Sequence, residues 1–235
     1  MANYKDIHGT QIETVSSNPD NPANGQVWYN STDQALRGFT SNPAGAWSTQ
    51  PSLNTARFQG AGAGTQTSAL AFGGEANQSP SQSDHTESWN GTSWTEVNDL
   101  NAGKTYLPIS GTYTSAITGG GLGPPSTALT VCESWNGTSW TEVADINTGD
   151  GGRVSFGEDN SNAVTVGGAV TEKWNGTSWS EIVDKNVNAG SAMAGDSPAG
   201  AGFVFGGSGS GSPQHSGSTE QFTSPVISTV TFTVS

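Results

Sequence analysis

The hexapeptide Trp89-Asn90-Gly91-Thr92-Ser93-Trp94 occurs three times, returning at 135–140 and 174–179. The copies lie 46 and 39 residues apart, and a period of that size marks a repeat architecture. Asn-Gly is the pair best able to hold positive φ at both centres of a type I′ turn, so each copy predicts two strands joined by a two-residue hairpin loop. With Asn90 and Gly91 as that loop, Trp89 is expected to pair with Thr92 and Glu87 with Trp94. Glu87, Trp89, Thr92 and Trp94 then share one face, while Ser88 and Ser93 point to the other.

A second marker keeps step with the first. The doublets Gly73-Gly74, Gly119-Gly120, Gly167-Gly168 and Gly206-Gly207 each end a short apolar or β-branched run such as Leu70-Ala71-Phe72. From the first glycine to the next strand's aromatic the distance is 16 residues to Trp89, 16 to Trp135, 7 to Trp174 and 16 to Phe222. A stretch that loses nine residues while both flanks keep their pattern is a loop that bends outward. Ahead of each doublet the pattern predicts two inner strands, near 57–64 and 67–73 in the first unit.

Composition fits an all-β chain. Its 235 residues suffice for a sizeable core, with 31% hydrophobic residues and 33 glycines among abundant Ser and Thr. No stretch approaches the roughly 20 apolar residues that span a bilayer, and the N-terminal residues lack a secretory pattern; a soluble chain made in the cytosol is expected. Asn-Gly-Thr also matches a glycosylation acceptor, but the hairpin accounts for the same residues without the modifying machinery. The lone Cys132 allows no internal disulfide and reads as inert packing on a strand.

The net charge of −13, from 20 acidic and 7 basic residues, without a basic cluster, argues against nucleic acid and anionic membranes as partners. Glu87, Glu133, Glu172 and Glu220 precede their aromatics by two residues, and Arg57, Lys104 and Arg153 recur with them. Opposite charges in one register predict salt bridges between neighbouring units, in preference to a ring of cations around a central opening.

Four strands per unit, a glycine doublet and periodic aromatics predict a β-propeller, whose radial stacking buries faces that one meander cannot. The residues resemble the kelch repeat family over about 50–235. They depart from it in placing Trp89, Trp135, Trp174 or Phe222 where kelch repeats usually have Tyr, and in the short spacing to the second Trp. The stretch Gly25 to Phe39, with Gly45-Ala46-Trp47, resembles a segment common near the start of bacteriophage tail and fibre proteins. Leu53 to Arg57, Ala61 to Thr67 and Leu70 to Gly74 resemble the kelch-like repeats of phages that infect marine bacteria. The resemblance implies a virion protein made in the host cytoplasm, in multiple copies and contacting other virion proteins.

Five blades are expected. An N-terminal attachment segment covers 1–24, a partial first blade 25–54, and four blades about 55–98, 99–144, 145–184 and 185–235. In that partial blade Val27-Trp28-Tyr29 and 35–39 form a hairpin and Ala46-Trp47 supplies a fourth strand; 228–234 closes the ring against the N-terminal strands. The rival is four blades plus a small N-terminal β module.

The residues point to no enzyme. A copper site like that of the kelch-built galactose oxidase needs Tyr, Cys and two His together, and no spacing groups His8, His85 and His215. No carboxylate pair stands out for glycoside hydrolysis, and Gly91-Thr-Ser-Trp94 only partly echoes the sialidase Asp-box. No catalytic residue, metal site or cofactor is assigned. Binding falls to the loops between doublet and aromatic, where Gln78, Ser81, Asp84, His85, Ser126, Thr127, Gln214 and His215 can hydrogen-bond or stack on host-surface glycans. Residues Trp94, Trp140 and Trp179 join the doublets and first aromatics as structural positions, the tryptophans packing between blades and the doublets closing inner strands. An architectural or decoration subunit, binding only other virion proteins, is the alternative, and a glycan-active enzyme a distant one.

Overall fold

Each Asn-Gly turn is closed by its asparagine side chain. Asn90 Oδ1 accepts from the backbone N–H of Thr92 and of Ser93, both at 2.9 Å, and Asn136 and Asn175 do the same in their copies. Gly91, Gly137 and Gly176 have φ near 90°, while none of the asparagines lies in the left-handed region. The loop therefore has four residues and not two, and Trp89 pairs directly with Trp94, Glu87 with Glu96. This corrects the predicted register. A type I′ turn needs positive φ at both centres; here an Asx turn does the work with one. The two tryptophans still share a face, their rings 5.3–5.4 Å apart in all three copies.

The structure, a computed structural model, describes residues 12–21, 25–38, 47–76, 82–190, 193–194, 198–208 and 216–224. Regular structure among them is all β-strand, in two compact units, Met1–Thr49 and Gln50–Ser235. In the first, β1 (Glu13–Val15) pairs in parallel with β2 (Val27–Asn30), which forms an antiparallel hairpin with β3 (Ala35–Gly38). Asn18 Oδ1 accepts from the buried Trp28 indole and from Asn30 Nδ2. The expected fourth strand is absent at Trp47, which is fully exposed in strand-free chain.

The second unit repeats one antiparallel meander. Its first copy holds β4 (Arg57–Phe58), β5 (Ala61–Thr65), β6 (Ser68–Phe72), β7 (Glu75–Ala76), β8 (Thr86–Trp89) and β9 (Trp94–Glu96), with sheet order β5-β6-β8-β9. The predicted inner strand 57–64 is broken: Gln59 takes φ 57°, and β4 turns away to pair with β7. The second copy holds β10 (Ser110–Gly111), β11 (Ala116–Gly119), β12 (Leu122–Gly123), β13 (Thr127–Ala128), β14 (Cys132–Trp135) and β15 (Trp140–Val143). Its sheet runs β10-β11-β14-β15, with β12 and β13 as a separate hairpin. The third is the plain meander β16 (Val154–Asp159), β17 (Asn162–Gly167), β18 (Val170–Trp174), β19 (Trp179–Glu181). In the fourth, β20 (Met193–Ala194), β21 (Phe203–Phe205) and β22 (Thr219–Gln221) form three strands among the described residues.

One doublet moves. Gly119 ends β11 and pairs with Cys132, while Gly120 and Gly121 take positive φ, so Gly120-Gly121 is the turning pair and not Gly119-Gly120. Gly73-Gly74 and Gly206-Gly207 turn in the same way. A Cβ at position 119 would lie 2.5 Å from Cys132 Sγ, which is why that strand position also takes glycine.

Sheets pack face to face through the repeated aromatics. Leu70 and Phe72 of the first sheet meet Ala116, Trp135 and Trp140 of the second, with Phe72 and Trp140 at 4.7 Å. Ile117 and Cys132 meet Ala163, Trp174 and Trp179 of the third, and Phe156, Val164 and Val166 meet Val204 and Phe222 of the fourth. Burying such a side chain contributes about 1.5–3 kcal/mol, so these interfaces carry the apolar part of the stability. The first strands of three sheets, β5, β10 and β16, line one cavity of about 350 Å³ together with Ala194 of β20.

The recurring charges pair inside each unit, not between neighbours. Arg57 bonds Glu87, Lys104 Nζ reaches Glu133 Oε1 at 2.5 Å, and Arg153 Nη2 reaches Glu172 Oε1 at 2.9 Å, all buried. Between-unit pairing failed as an expectation because third strand and cation belong to one meander. Each glutamate also takes two bonds from an asparagine ahead of its unit. Asn54, Asn101, Asn147 and Asn186 give backbone N–H and Nδ2 to Glu87, Glu133, Glu172 and Glu220 at 2.7–2.9 Å. In the fourth unit Glu220 is half-buried, and among the described residues no cation forms an ion pair with it.

Candidate binding surface

In the first sheet β6 runs toward the doublet and β8 runs back from it, so the segment joining them projects at the doublet end. The first tryptophans mark the opposite end: Trp89, Trp135 and Trp174 donate their indole N–H to Gln66, Tyr113 and Asn160, in the turns between the two inner strands. At the doublet end the third unit closes in a tight hairpin from Gly167 to Val170. The first and second units insert β7 and the hairpin β12–β13 there instead.

Four of the eight candidate ligand residues are described. Ser126 and Thr127 sit at the exposed tip of the β12–β13 hairpin, beyond the cis bond Pro124–Pro125. Ser126 holds φ 97° and donates its N–H to Gly123 O at 2.6 Å. Asp84 and His85 lie just before β8. The His85 carbonyl accepts from Gly73 N at 3.1 Å and Arg57 Nη1 at 2.5 Å, tying this segment to the doublet. Gln78, Ser81, Gln214 and His215 lie outside the described residues. The structure thus puts two separate pairs at the doublet ends of adjacent sheets, one on a hairpin tip and one at a strand entrance.

Two neighbours of His85 were not singled out from sequence. Glu96 ends β9 and Asp99 follows it, and the direct Trp89–Trp94 pairing brings both back to the start of β8. His85 Nδ1 is 3.4 Å from Glu96 Oε1 and Nε2 is 4.0 Å from Asp84 Oδ1. Asp99 Oδ1 accepts from Thr86 N at 2.9 Å. The signal for these carboxylates was the shared spacing of Glu and Asp behind the second tryptophan, at 96 and 99, 142 and 145, 181 and 184.

Electrostatics sharpen the division between frame and surface. Burial alone pushes the Glu87 carboxyl up, but the N–H groups of Asn54 and Thr55 and the Arg57 guanidinium outweigh it and hold the group below its usual range. For Glu220 burial again raises the value, and Asn186, Val187 and Lys185 bring it down. Burial pushes the Cys132 thiol up to about 12. Glu87 and Cys132 belong to the interior and offer a ligand nothing. A groove of about 340 Å³ lies between the third and fourth sheets, lined by Val166, Thr171, Val183, Val204, Glu220 and Phe222.

No protein-family model matches the chain, and no curated protein matches it. Among solved structures it is similar to that of YjhT, with a TM-score of 0.55 at 13% identity. The similarity covers 68% of this chain and 59% of that one. At such identity the likeness concerns the fold alone.

Proposed function

We propose that the chain is a non-enzymatic virion protein of a bacteriophage, tail- or fibre-associated, whose meanders form a kelch-like β-propeller presenting doublet-end loops to host-surface glycans. The observation that carries this reading is the contrast between constant sheets and variable inserts. The third unit turns directly from Gly167 to Val170, while its neighbours carry exposed polar residues at the same end. Loops that vary on a rigid scaffold are where binding concentrates. Single contacts of this kind are weak, and several copies per particle raise them through avidity.

The propeller reading rests on the shared cavity lined by inner strands of four sheets. Counting the N-terminal sheet gives five blades. Its parallel β1–β2 pair is unlike any meander strand pair and favours the rival arrangement, four blades with residues 1–49 as an attachment module.

The test replaces the segment between Gly121 and Val131 by the short turn of the third unit. Mass spectrometry of purified virions is expected to detect the protein, and the shortened variant to fold but lose binding to host cells and to a glycan array. Virions without the protein would refute the phage reading. Unchanged binding after shortening this and the first insert would refute adhesion and leave the architectural role.

A further inference from the structure

We propose that His85, Glu96 and Asp99 form a binding site for a first-row divalent cation, with zinc the best-fitting ion. The inference does not depend on the adhesion reading. One ligand atom from each of the three residues lies within 4.8 Å of the others. His85 Nδ1 is shielded from solvent and has no hydrogen-bond partner, because its approach to Glu96 Oε1 at 3.4 Å lacks the geometry of one. A buried ring nitrogen left without a partner is costly unless something else takes its lone pair.

The repeat supplies an internal control. The carboxylate pair recurs as Glu142 with Asp145 and Glu181 with Asp184, but at the place of His85 those units have Val131 and Val170. The equivalence is structural: Gly73 N donates to His85 O as Gly120 N donates to Val131 O, both at 3.1 Å. The fourth unit has Ser218 there, by the same bond from Gly206 N, so no other unit places an imidazole at this position and the meander does not require one. The imidazole faces two carboxylates that the other sheets leave without a nitrogen ligand.

Ligand chemistry selects the ion. One imidazole nitrogen and two carboxylate oxygens suit zinc and its first-row neighbours, with water completing four-coordination, whereas calcium and magnesium favour oxygen-only sets. Asp99 is held by the Thr86 N–H through Oδ1, leaving Oδ2 for the ion. The Glu96 side chain is half-exposed and free to swing inward. Asp84 lies on the far side of the ring, its Oδ1 4.0 Å from Nε2 and beyond hydrogen-bond distance.

Calorimetry on the full chain, stripped with chelator and titrated with zinc chloride, is expected to show a saturable site. His85→Val, which installs the residue used by the second and third units, should remove one zinc equivalent or weaken it at least 100-fold. Glu96→Gln, at an exposed position that does not endanger folding, should weaken the same equivalent at least 10-fold. Glu142→Gln, at the place of Glu96 in the second unit, should change nothing. Magnesium and calcium at the same concentrations should not compete. An absence of zinc binding, or stoichiometry and affinity unchanged in both His85→Val and Glu96→Gln, would overturn the site and leave His85 as a simple ion-pair partner of Glu96.

Discussion

Lys104→Met should be among the most damaging conservative substitutions in this chain. Lys104 and Glu133 have side-chain exposures of 1% and 0%, and Nζ sits 2.5 Å from Oε1. Methionine fills the stem's volume but leaves the carboxylate buried, with the Asn101 N–H and Nδ2 as its remaining partners. Removing one member of a buried pair costs about 3–5 kcal/mol, because the other charge is stranded. For a unit of this size each kcal/mol lowers Tm by roughly 2–4 °C, so a fall of about 6–20 °C is expected. The pair's own contribution is a different quantity. Lys104→Met combined with Glu133→Gln keeps the Asn101 contacts through the amide oxygen, removes the stranded charge, and should recover most of the loss. Urea unfolding followed by tryptophan fluorescence reads both, since Trp135 and Trp140 lie in the same sheet. A single variant within about 1 kcal/mol of the parent would refute the argument. So would a double variant no more stable than the single one.

Acid should loosen the first unit. The folded Glu87 carboxyl is held below its ordinary 4.5, so its contribution is complete above that pH and is lost as pH falls through the lowered folded value; Glu87→Gln should flatten this limb of a stability-against-pH curve. Gly74→Ala should cost more than about 1–3 kcal/mol, since Gly74 has φ 94° and a Cβ would lie 2.6 Å from Phe58 O, whereas Gly217→Ala, with no atom of the described residues within 4 Å, should be neutral in the same denaturation assay. Cys132, fully buried with its thiol pushed up to about 12, should resist a thiol reagent at pH 8 in the native chain and react on unfolding; rapid native labelling would contradict its packing between Ile117 and Trp179.

The all-β class and the four-stranded unit were legible because period, doublets and aromatics mark strand ends without any knowledge of tertiary contacts. Register was not. Asn-Gly signals a tight turn, but whether Asn90 adopts positive φ or folds its side chain over Thr92 and Ser93 depends on local hydrogen bonding that the dipeptide does not encode. In the run 119–121 three consecutive glycines hide which pair turns, and the decision falls to Cys132, whose sulfur excludes a side chain at 119. The asparagines at 54, 101, 147 and 186 recur ahead of every unit, yet their role appears only once a carboxylate 25–34 residues away is known to sit beside them. Of the candidate surface, Asp84 and His85 were visible as loop polar residues. Glu96 and Asp99 were not, because they approach His85 only through the hairpin register that the Asn-Gly reading shifted.

Each glutamate fastens the chain entering its unit to that unit's third strand, and wherever a cation is present it joins the same knot. Neighbouring repeats thus meet through apolar faces and uncharged hydrogen bonds, among them Gly74 N on Lys104 O and the Trp140 indole on Thr86 Oγ1. Duplicating or deleting one whole repeat would therefore strand no buried charge, since every carboxylate travels with its own partners. A change in repeat number, with crossover at the shared Trp-Asn-Gly-Thr-Ser-Trp segments, would therefore need only a new pair of apolar surfaces to fit.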